Sequence, residues 1–502
     1  MSRTTRVLAV DFGASGGKCF AGTFEAGGFA MEELHRFSHE GVTFSIPDAA
    51  GRLTERTYWD DTLLYQNIRA GLNAYRLKFG AALDGIGIDT WGSDGALLGP
   101  DGELLGKVYA YRDHRLDTMV AEVKARIDAA RVYAITGIHF QPFNISNQLL
   151  WLMTRRPEWV RPGCTFLPVP SLFYYYLGGV KAVDSSWASV TQLMDAKTRR
   201  WSPEILMALG IPEDLLPPIV SPGHPVGRLH PSLAEGLGVT PAPLIAVGSH
   251  DTASAFAAAP VDNTDEALII SSGTWSLVGK LIPEPITTPA AMKHNFSNEG
   301  GIGNIRFLKN CMGSWLAQEL RRVWRDADGR ETPWKELDAM TLAAPAFAAL
   351  VDPDDAGFYN PPNMEEAIAA FCRKTGQAAP ASRGACLRCV YESLALKYRL
   401  VHEQLAEITG KRAKTIHIVG GGSNNLMLNQ FTADACGLPV VAGPSEATAV
   451  GNIMVQAVGL GLLRSLADAQ PLLRKAFPIK EYKPRDPAGW NAPYARFQAL
   501  VK

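Results

Sequence analysis

Apolar residues come in short runs broken by glycine, proline and small polar residues, and the runs alternate between strand-like and helix-like spacing. Val7-Leu-Ala-Val-Asp-Phe12 predicts a strand, Gly13-Ala-Ser-Gly-Gly17 a turn and Lys18-Cys-Phe-Ala-Gly-Thr-Phe24 a returning strand. A second turn at Ala26-Gly-Gly28 leads into a third strand from Phe29. The same pattern returns half a chain later in Ala267-Leu-Ile-Ile-Ser-Ser-Gly-Thr-Trp-Ser-Leu-Val-Gly279. Three further strands end in small and polar residues: Ile86-Gly-Ile-Asp-Thr-Trp-Gly-Ser-Asp94, Leu244-Ile-Ala-Val-Gly-Ser-His-Asp-Thr252 and Thr415-Ile-His-Ile-Val-Gly-Gly-Gly-Ser-Asn-Asn425. Helical spacing links Leu387, Val390, Leu394, Val401, Leu405 and Ile408 before a stop at Gly410.

Strands and helices in alternation predict an α/β protein. Two hairpins of one kind predict two similarly built domains facing one another, with a boundary near Pro260, where Val261-Asp-Asn-Thr-Asp-Glu266 brings three acids to a surface connection. The expected domains are residues 1–260 and 261–502. Ligands of open α/β sheets collect beyond the carboxyl ends of the strands, so the polar strand endings are where chemistry is expected.

Composition narrows the choice. The 502 residues are 47% apolar and 20% charged, ample for two hydrophobic cores and unlike a disordered or fibrous chain. Forty-nine Lys and Arg balance 50 Asp and Glu, so no global field gathers nucleic acid or anionic membrane, and neither is expected as a partner. The opening residues lack the regions of a signal peptide, no apolar stretch reaches spanning length, and seven scattered cysteines make no disulfide framework; a cytoplasmic location is expected. Cys386 and Cys389 lack a matching ligand pair for zinc and are expected in the core, and no histidines stand at metal-ligand spacing.

Asp11-Phe-Gly-Ala-Ser-Gly-Gly-Lys18 carries what a phosphate grip needs: glycines for close backbone approach, a hydroxyl at Ser15, a cation at Lys18 and a carboxylate able to face Mg²⁺. It is not a Walker A loop, since Gly13 to Gly17 encloses three residues and Cys19 follows Lys18, and it returns as a strand where a dinucleotide fingerprint would open a helix. A plain glycine-rich hairpin accounts for the same residues. Ser271-Ser-Gly-Thr-Trp-Ser276 adds uncharged donors, and two such turns in two domains would clamp a polyphosphate. Gly420-Gly-Gly-Ser-Asn-Asn425 suits close approach to a base or ribose, its asparagines hydrogen-bonding a ligand or capping the next helix. Asp251, between His250 and Thr252, is either an N-cap or a base that takes a proton from a polyol hydroxyl. Asp89, Asp94 and Asp113 compete for the base role, although Asp113 in Tyr111-Arg-Asp-His-Arg115 fits an ionic cluster better. Gly137-Ile-His-Phe-Gln-Pro-Phe-Asn144 reads as a loop whose rings wall a sugar or pack in the core.

Taken together, Val10-Asp-Phe-Gly-Ala-Ser15, Gly87-Ile-Asp-Thr-Trp-Gly92, Ala110-Tyr-Arg-Asp-His-Arg115, Ser249-His-Asp-Thr-Ala-Ser254, Ser271-Ser-Gly-Thr-Trp-Ser276, Asn298-Glu-Gly-Gly301, Leu308-Lys-Asn-Cys-Met-Gly313, Val419-Gly-Gly-Gly422 and Ala442-Gly-Pro-Ser-Glu-Ala-Thr-Ala-Val-Gly-Asn452 resemble the FGGY carbohydrate kinases, within the actin-like ATPase superfamily. The resemblance covers nearly the whole chain and is greatest to the members acting on L-rhamnulose. It implies two actin-like, ribonuclease H-like domains with the active site in the interdomain cleft. ATP and Mg²⁺ are the implied cofactors, and the implied reaction phosphorylates the C1 hydroxyl of a ketose with Asp251 as general base. Implied sugar contacts are Gly92, His250, Asp251 and Thr252. Implied nucleotide contacts are Ala14, Ser15, Gly16, Gly17, Lys18, Thr274, Asn310, Gln318 and Gly421, with Asp11 acting on Mg²⁺. The usual phosphate turn is Ala-Ser-Ser-Gly-Arg; Ala14-Ser-Gly-Gly-Lys18 loses a hydroxyl and replaces a guanidinium fork with a point charge, which phosphate binding should survive. Residues 182–201 match loosely, so L-fuculose, xylulose or an autoinducer-like polyol stay open as substrates. A non-catalytic sugar and nucleotide sensor and a chaperone-like ATPase stay open as other classes, and the oligomeric state is left between monomer and homodimer.

Overall fold

The computed structural model describes residues 4–47 and 50–501, which divide into two compact units. The first comprises residues 1–258, 281–307 and 447–476, and the second residues 259–280, 308–446 and 477–502. The division is not one cut of the chain into halves, because two segments from beyond residue 260 pack with the first unit.

In the first unit Thr5–Gly13, Gly16–Glu25 and Gly28–Ser38 form an antiparallel meander, as the first hairpin predicts. Thr5–Gly13 also pairs in parallel with Gly85–Thr90, which pairs in parallel with Pro243–Ile245, and Pro225–Arg228 closes the edge antiparallel. The strand expected from Leu244 ends at Ile245; residues 246–249 run on as irregular chain, held by bonds such as Thr90 N–H to the Ser249 carbonyl at 2.8 Å.

Side chains alternate across a sheet, which divides this sequence between two layers. Leu8, Val10, Phe12, Ile86 and Ile88 enter a core with Leu64, Ile68, Leu72 and Tyr75 of the helix Asp61–Phe79 and with Leu172 and Phe173. The alternate residues Ala9, Asp11, Gly87 and Asp89 therefore face the other side, where the helices Asp251–Ala257 and Ala447–Gly459 pack. These helices need small residues to approach: a Cβ on Gly451 would run into the Ser254 carbonyl, and one on Gly87 would lie 2.5 Å from Asn452 Oδ1. A further apolar core of the same unit gathers Leu116, Leu149, Trp151, Trp187, Leu206 and neighbours.

The second unit repeats the plan. Ala267–Ser272 pairs antiparallel with Trp275–Ile282 and in parallel with Thr415–Val419, which pairs in parallel with Val440–Ala442, and Lys480–Tyr482 closes the edge antiparallel. The 27-residue helix Arg383–Thr409, capped at Ser382 and stopped at Gly410, supplies much of the core. Cys386 and Cys389 are buried in it as free thiols, Cys389 hydrogen-bonded to Cys372.

Candidate active site

Asp11 and Asp89 are register partners on adjacent parallel strands and project from the same face. Thr90 bridges in parallel to His250, so the chain delivers Asp251 beside the same strand ends. Asp251 is the first residue of its helix rather than the N-cap; extended His250 (φ −78°, ψ 115°) takes the cap position and leaves the carboxylate free of that duty. One carboxylate oxygen accepts the Thr252 N–H at 2.6 Å. Burial and the neighbouring Asp11 charge push the Asp251 carboxyl up to about 7, where a general base is best matched to neutral pH.

Behind Asp251 lies a wholly buried guanidinium. Arg306 donates to Thr252 Oγ1 at 2.6 Å, to His250 Nδ1 at 3.1 Å and to the Gly300 carbonyl at 2.9 Å, and it pairs with Glu299 at 3.1 Å. Burial and the Arg306 charge hold the His250 imidazole well below its ordinary range, so it stays neutral at physiological pH. The ring is packed against Gly92, where a Cβ would meet its Nε2 at 2.5 Å.

Asp89 accepts from Asn452 Nδ2 at 2.6 Å, and Asn452 Oδ1 is fixed by Gln456 Nε2 at 2.8 Å, which also reaches the Leu8 carbonyl at 3.0 Å. Burial and the Asp11 charge raise the Asp89 carboxyl. Two other carboxylates considered from sequence are committed elsewhere. Asp94, at φ 72°, accepts from Trp59 Nε1, the Tyr111 N–H and Gln148 Nε2 at 2.7, 3.0 and 3.0 Å. Asp113 holds the Thr57 and Arg115 N–H groups at 2.6 and 2.9 Å, the structural role its motif suggested.

Gly13 pairs with Gly16 across the first hairpin, leaving Ala14-Ser15 as a two-residue turn, and Lys18 stands opposite Asp11 on the same face. Gly16 and Gly17 are required by packing, since a Cβ on Gly16 would lie 2.9 Å from the Phe37 carbonyl and one on Gly17 would strike Phe37 and Phe12. The turn is braced by His39, whose Nε2 bonds the Gly13 carbonyl at 2.8 Å.

In the second unit, Thr274 lies in the turn of the second hairpin and its carbonyl accepts the Gly313 N–H at 3.0 Å. Ser314 Oγ donates to the Gly273 carbonyl at 2.6 Å and accepts from Gln318 Nε2 at 3.0 Å, which brings Thr274 and Gln318 together. Gly420, at φ 81°, and Gly422 press on Ser272, while a Cβ on Gly421 would meet nothing within 4 Å, so its backbone stands open. Asn310 presents a buried Oδ1 with no hydrogen-bond partner among the described residues. Asn425 caps the helix Leu426–Cys436 through the Leu428 N–H at 2.9 Å.

The Gly137–Asn144 loop is tied by Gln141 N–H to Asn144 Oδ1 at 2.6 Å and by a His139–Ser297 bond, with Phe140 and Phe143 half-buried. Sequence reasoning gave no role to Arg306, Glu299, Asn452 or His39. Glu299 and Asn452 lie inside stretches that carry the resemblance, the one signal that could have marked them.

Comparison with known proteins gives the family and the fold. The N-terminal domain model of the FGGY family of carbohydrate kinases matches residues 59–257, and its C-terminal domain model matches residues 268–460. A rhamnulokinase of Bacteroides thetaiotaomicron is 41% identical over 496 residues, covering 99% of both chains. One from Pectobacterium carotovorum is 40% identical over 98% of this chain and 96% of its own. The fold matches gluconate kinase from Lactobacillus acidophilus (TM-score 0.79, 17% identity, 99% and 98% covered) and Plasmodium falciparum glycerol kinase with ADP (TM-score 0.77, 15% identity, 99% of both covered). The chain belongs to the FGGY family of carbohydrate kinases, sugar phosphotransferases for which ATP and a carbohydrate are the substrates.

Proposed function

We propose that this kinase transfers the γ-phosphoryl group of ATP to the C1 hydroxyl of L-rhamnulose, giving L-rhamnulose 1-phosphate, with Asp251 as general base. The sugar is chosen because relatives at 35–41% identity over nearly their whole length are rhamnulokinases. The assignment of the base rests on one observation: a carboxyl beside Asp11, at the first residue of its helix and pushed up to about 7. Ionised, it accepts the hydroxyl proton as the oxygen attacks; protonated, it has no means of taking one. Gly92, His250 and Thr252 would bind the sugar, within residues 1–260.

Ala14, Ser15, Gly16, Gly17 and Lys18 would hold phosphate through turn N–H groups and one ammonium. Thr274, Asn310, Gln318 and Gly421 of residues 261–502 would hold the rest of the nucleotide, the orphaned Asn310 Oδ1 awaiting a donor. Asp11, register partner to a second carboxylate, offers the hard oxygen chemistry that suits Mg²⁺ shared with substrate phosphates. Such an ion would supply charge neutralisation at the phosphate oxygens. Against these charges, Asp11 would lose its power to raise Asp251, and the base would be more fully ionised in the complete complex. A cytoplasmic setting belongs to the same proposal, supported by the need for ATP.

The test is sugar-dependent ADP release over a panel of L-rhamnulose, L-fuculose, xylulose and related polyols. L-Rhamnulose should give the highest kcat/KM, and Asp251→Asn should bind both substrates while losing turnover about 10²-fold or more. A higher kcat/KM for another sugar would replace the substrate, and near-normal turnover in Asp251→Asn would remove the base.

A further inference from the structure

We infer that Arg306 is a positioning residue that fixes the direction of every hydrogen bond around the sugar side of Asp251, making His250 and Thr252 a pair of obligate donors. The inference rests on the reading of His250 and Thr252 as sugar contacts. A guanidinium has five N–H donors and no acceptor, so anything it bonds must accept. Arg306 spends these donors on His250 Nδ1, Thr252 Oγ1 and the Gly300 carbonyl, and forms an ion pair with Glu299 at 3.1 Å.

Those acceptors have two consequences. His250 Nδ1 must carry a lone pair, so the neutral ring keeps its proton on Nε2, the atom that lies against Gly92 and 3.4 Å from Asp251 Oδ1. Thr252 Oγ1 accepts from Arg306 and lies 3.1 Å from His250 Nε2 and 3.3 Å from Nδ1; with Nε2 protonated and the one Nδ1 lone pair taken by Arg306, its own proton goes to another acceptor. Donors then run outward from Arg306, and Asp251 is the acceptor among the three.

A sugar meeting this surface must present oxygen lone pairs to residues 250 and 252 and a hydroxyl proton to Asp251. The acceptor hydroxyl is thereby singled out by hydrogen-bond polarity as well as by position. Glu299 is the competing partner, since its carboxylate lies 3.4 Å from Nδ1 and would take a proton from it. A proton there would face the guanidinium at 3.1 Å, donor against donor. The other charged groups around the pair are Asp251 itself and, one step out, Asp11 and Asp184.

The direct test is long-range ¹⁵N–¹H NMR of the full chain labelled at histidine, with His250 assigned from the signal lost in His250→Gln. We expect Nε2–H with an unprotonated Nδ1 in the ligand-free protein, unchanged from about pH 6 to about pH 8. A proton on Nδ1, a mixture of tautomers or an imidazolium overturns the inference, whatever the sugar is and whether or not Asp251 is the base. Glu299→Gln should keep the Nε2–H tautomer; a switch in that variant also overturns it. Arg306→Lys should release the tautomer and raise the sugar KM about 10-fold while kcat changes less. Wild-type tautomer and KM in folded Arg306→Lys would overturn the role of Arg306, and if that variant does not fold the wild-type spectrum still decides the direction of the bonds.

Discussion

Replacing Gly92 with alanine tests whether His250 is pinned. The new Cβ would stand 2.5 Å from Nε2, 2.7 Å from Cδ2 and 2.9 Å from Cε1 of the ring, where ordinary contact begins near 3.4 Å, so something must move by about 1 Å. The ring has no room to retreat: its Nδ1 is 3.1 Å from Arg306, and that side chain is wholly buried and tied to Gly300 at 2.9 Å. Overpacking of this kind costs about 1–3 kcal/mol, and a displacement of about 1 Å in a positioning group costs about 10²-fold in rate. We therefore expect Gly92→Ala to fold with a lowered Tm and to lose about 10²-fold in kcat/KM for the sugar. Coupled ADP release and thermal unfolding by circular dichroism measure the two effects. A double variant with His250→Ala removes the clash, so its loss of Tm should be smaller than the sum of the single losses. A kcat/KM within about twofold of wild type, with strictly additive Tm changes, would falsify the pinned ring.

Three further outcomes can be checked with the same preparations. Because burial and Asp11 raise the Asp251 carboxyl to about 7, the folded protein binds that proton more tightly than the unfolded chain does. Its contribution to stability is complete below the unfolded value and is lost as pH rises through about 7, so ligand-free Asp251→Asn should gain Tm relative to wild type above that pH, and a constant difference across the range would contradict the shift. Asn452→Leu strips the Asp89 carboxylate of its 2.6 Å donor and should cost about 1–3 kcal/mol in urea unfolding, with a fall in kcat. Gly451→Ala drives a methyl group into the Ser254 backbone carbonyl between two helices, where no flexible side chain can give way, and should lower Tm more than Gly92→Ala does.

Much of this was legible in sequence because strand endings are local. The hairpins at Gly13 and Gly273 and the strand into Asp89 derive from apolar runs ending in small and polar turn residues. Of the two readings of Asp251, the N-cap one is set aside because the backbone gives that position to His250, although Asp is the better cap by type. Arg306 and Asn452 were missed. Their partners lie 56 and 363 residues away, and no spacing rule reaches that far. The same distance explains why residues 281–307 and 447–476 belong with the first unit although nothing in their composition detaches them from the second half.

The duplication shows what chemistry requires beyond a shared backbone. In the first hairpin Phe12 pairs with Gly17, in the second Ser272 pairs with Ser276, so the place of Asp11 is taken by Ser271. On the parallel neighbour, Asp89 opposite Asp11 has its counterpart in Val419 opposite Ser271. The second copy thus keeps the glycine turn and its N–H donors and drops both carboxylates. Donors alone are suited to holding phosphate oxygens and have no means of taking a proton. The first copy brings Asp11 close enough to raise Asp251, so under the proposed mechanism activation of the alcohol would fall to that copy and binding to the other.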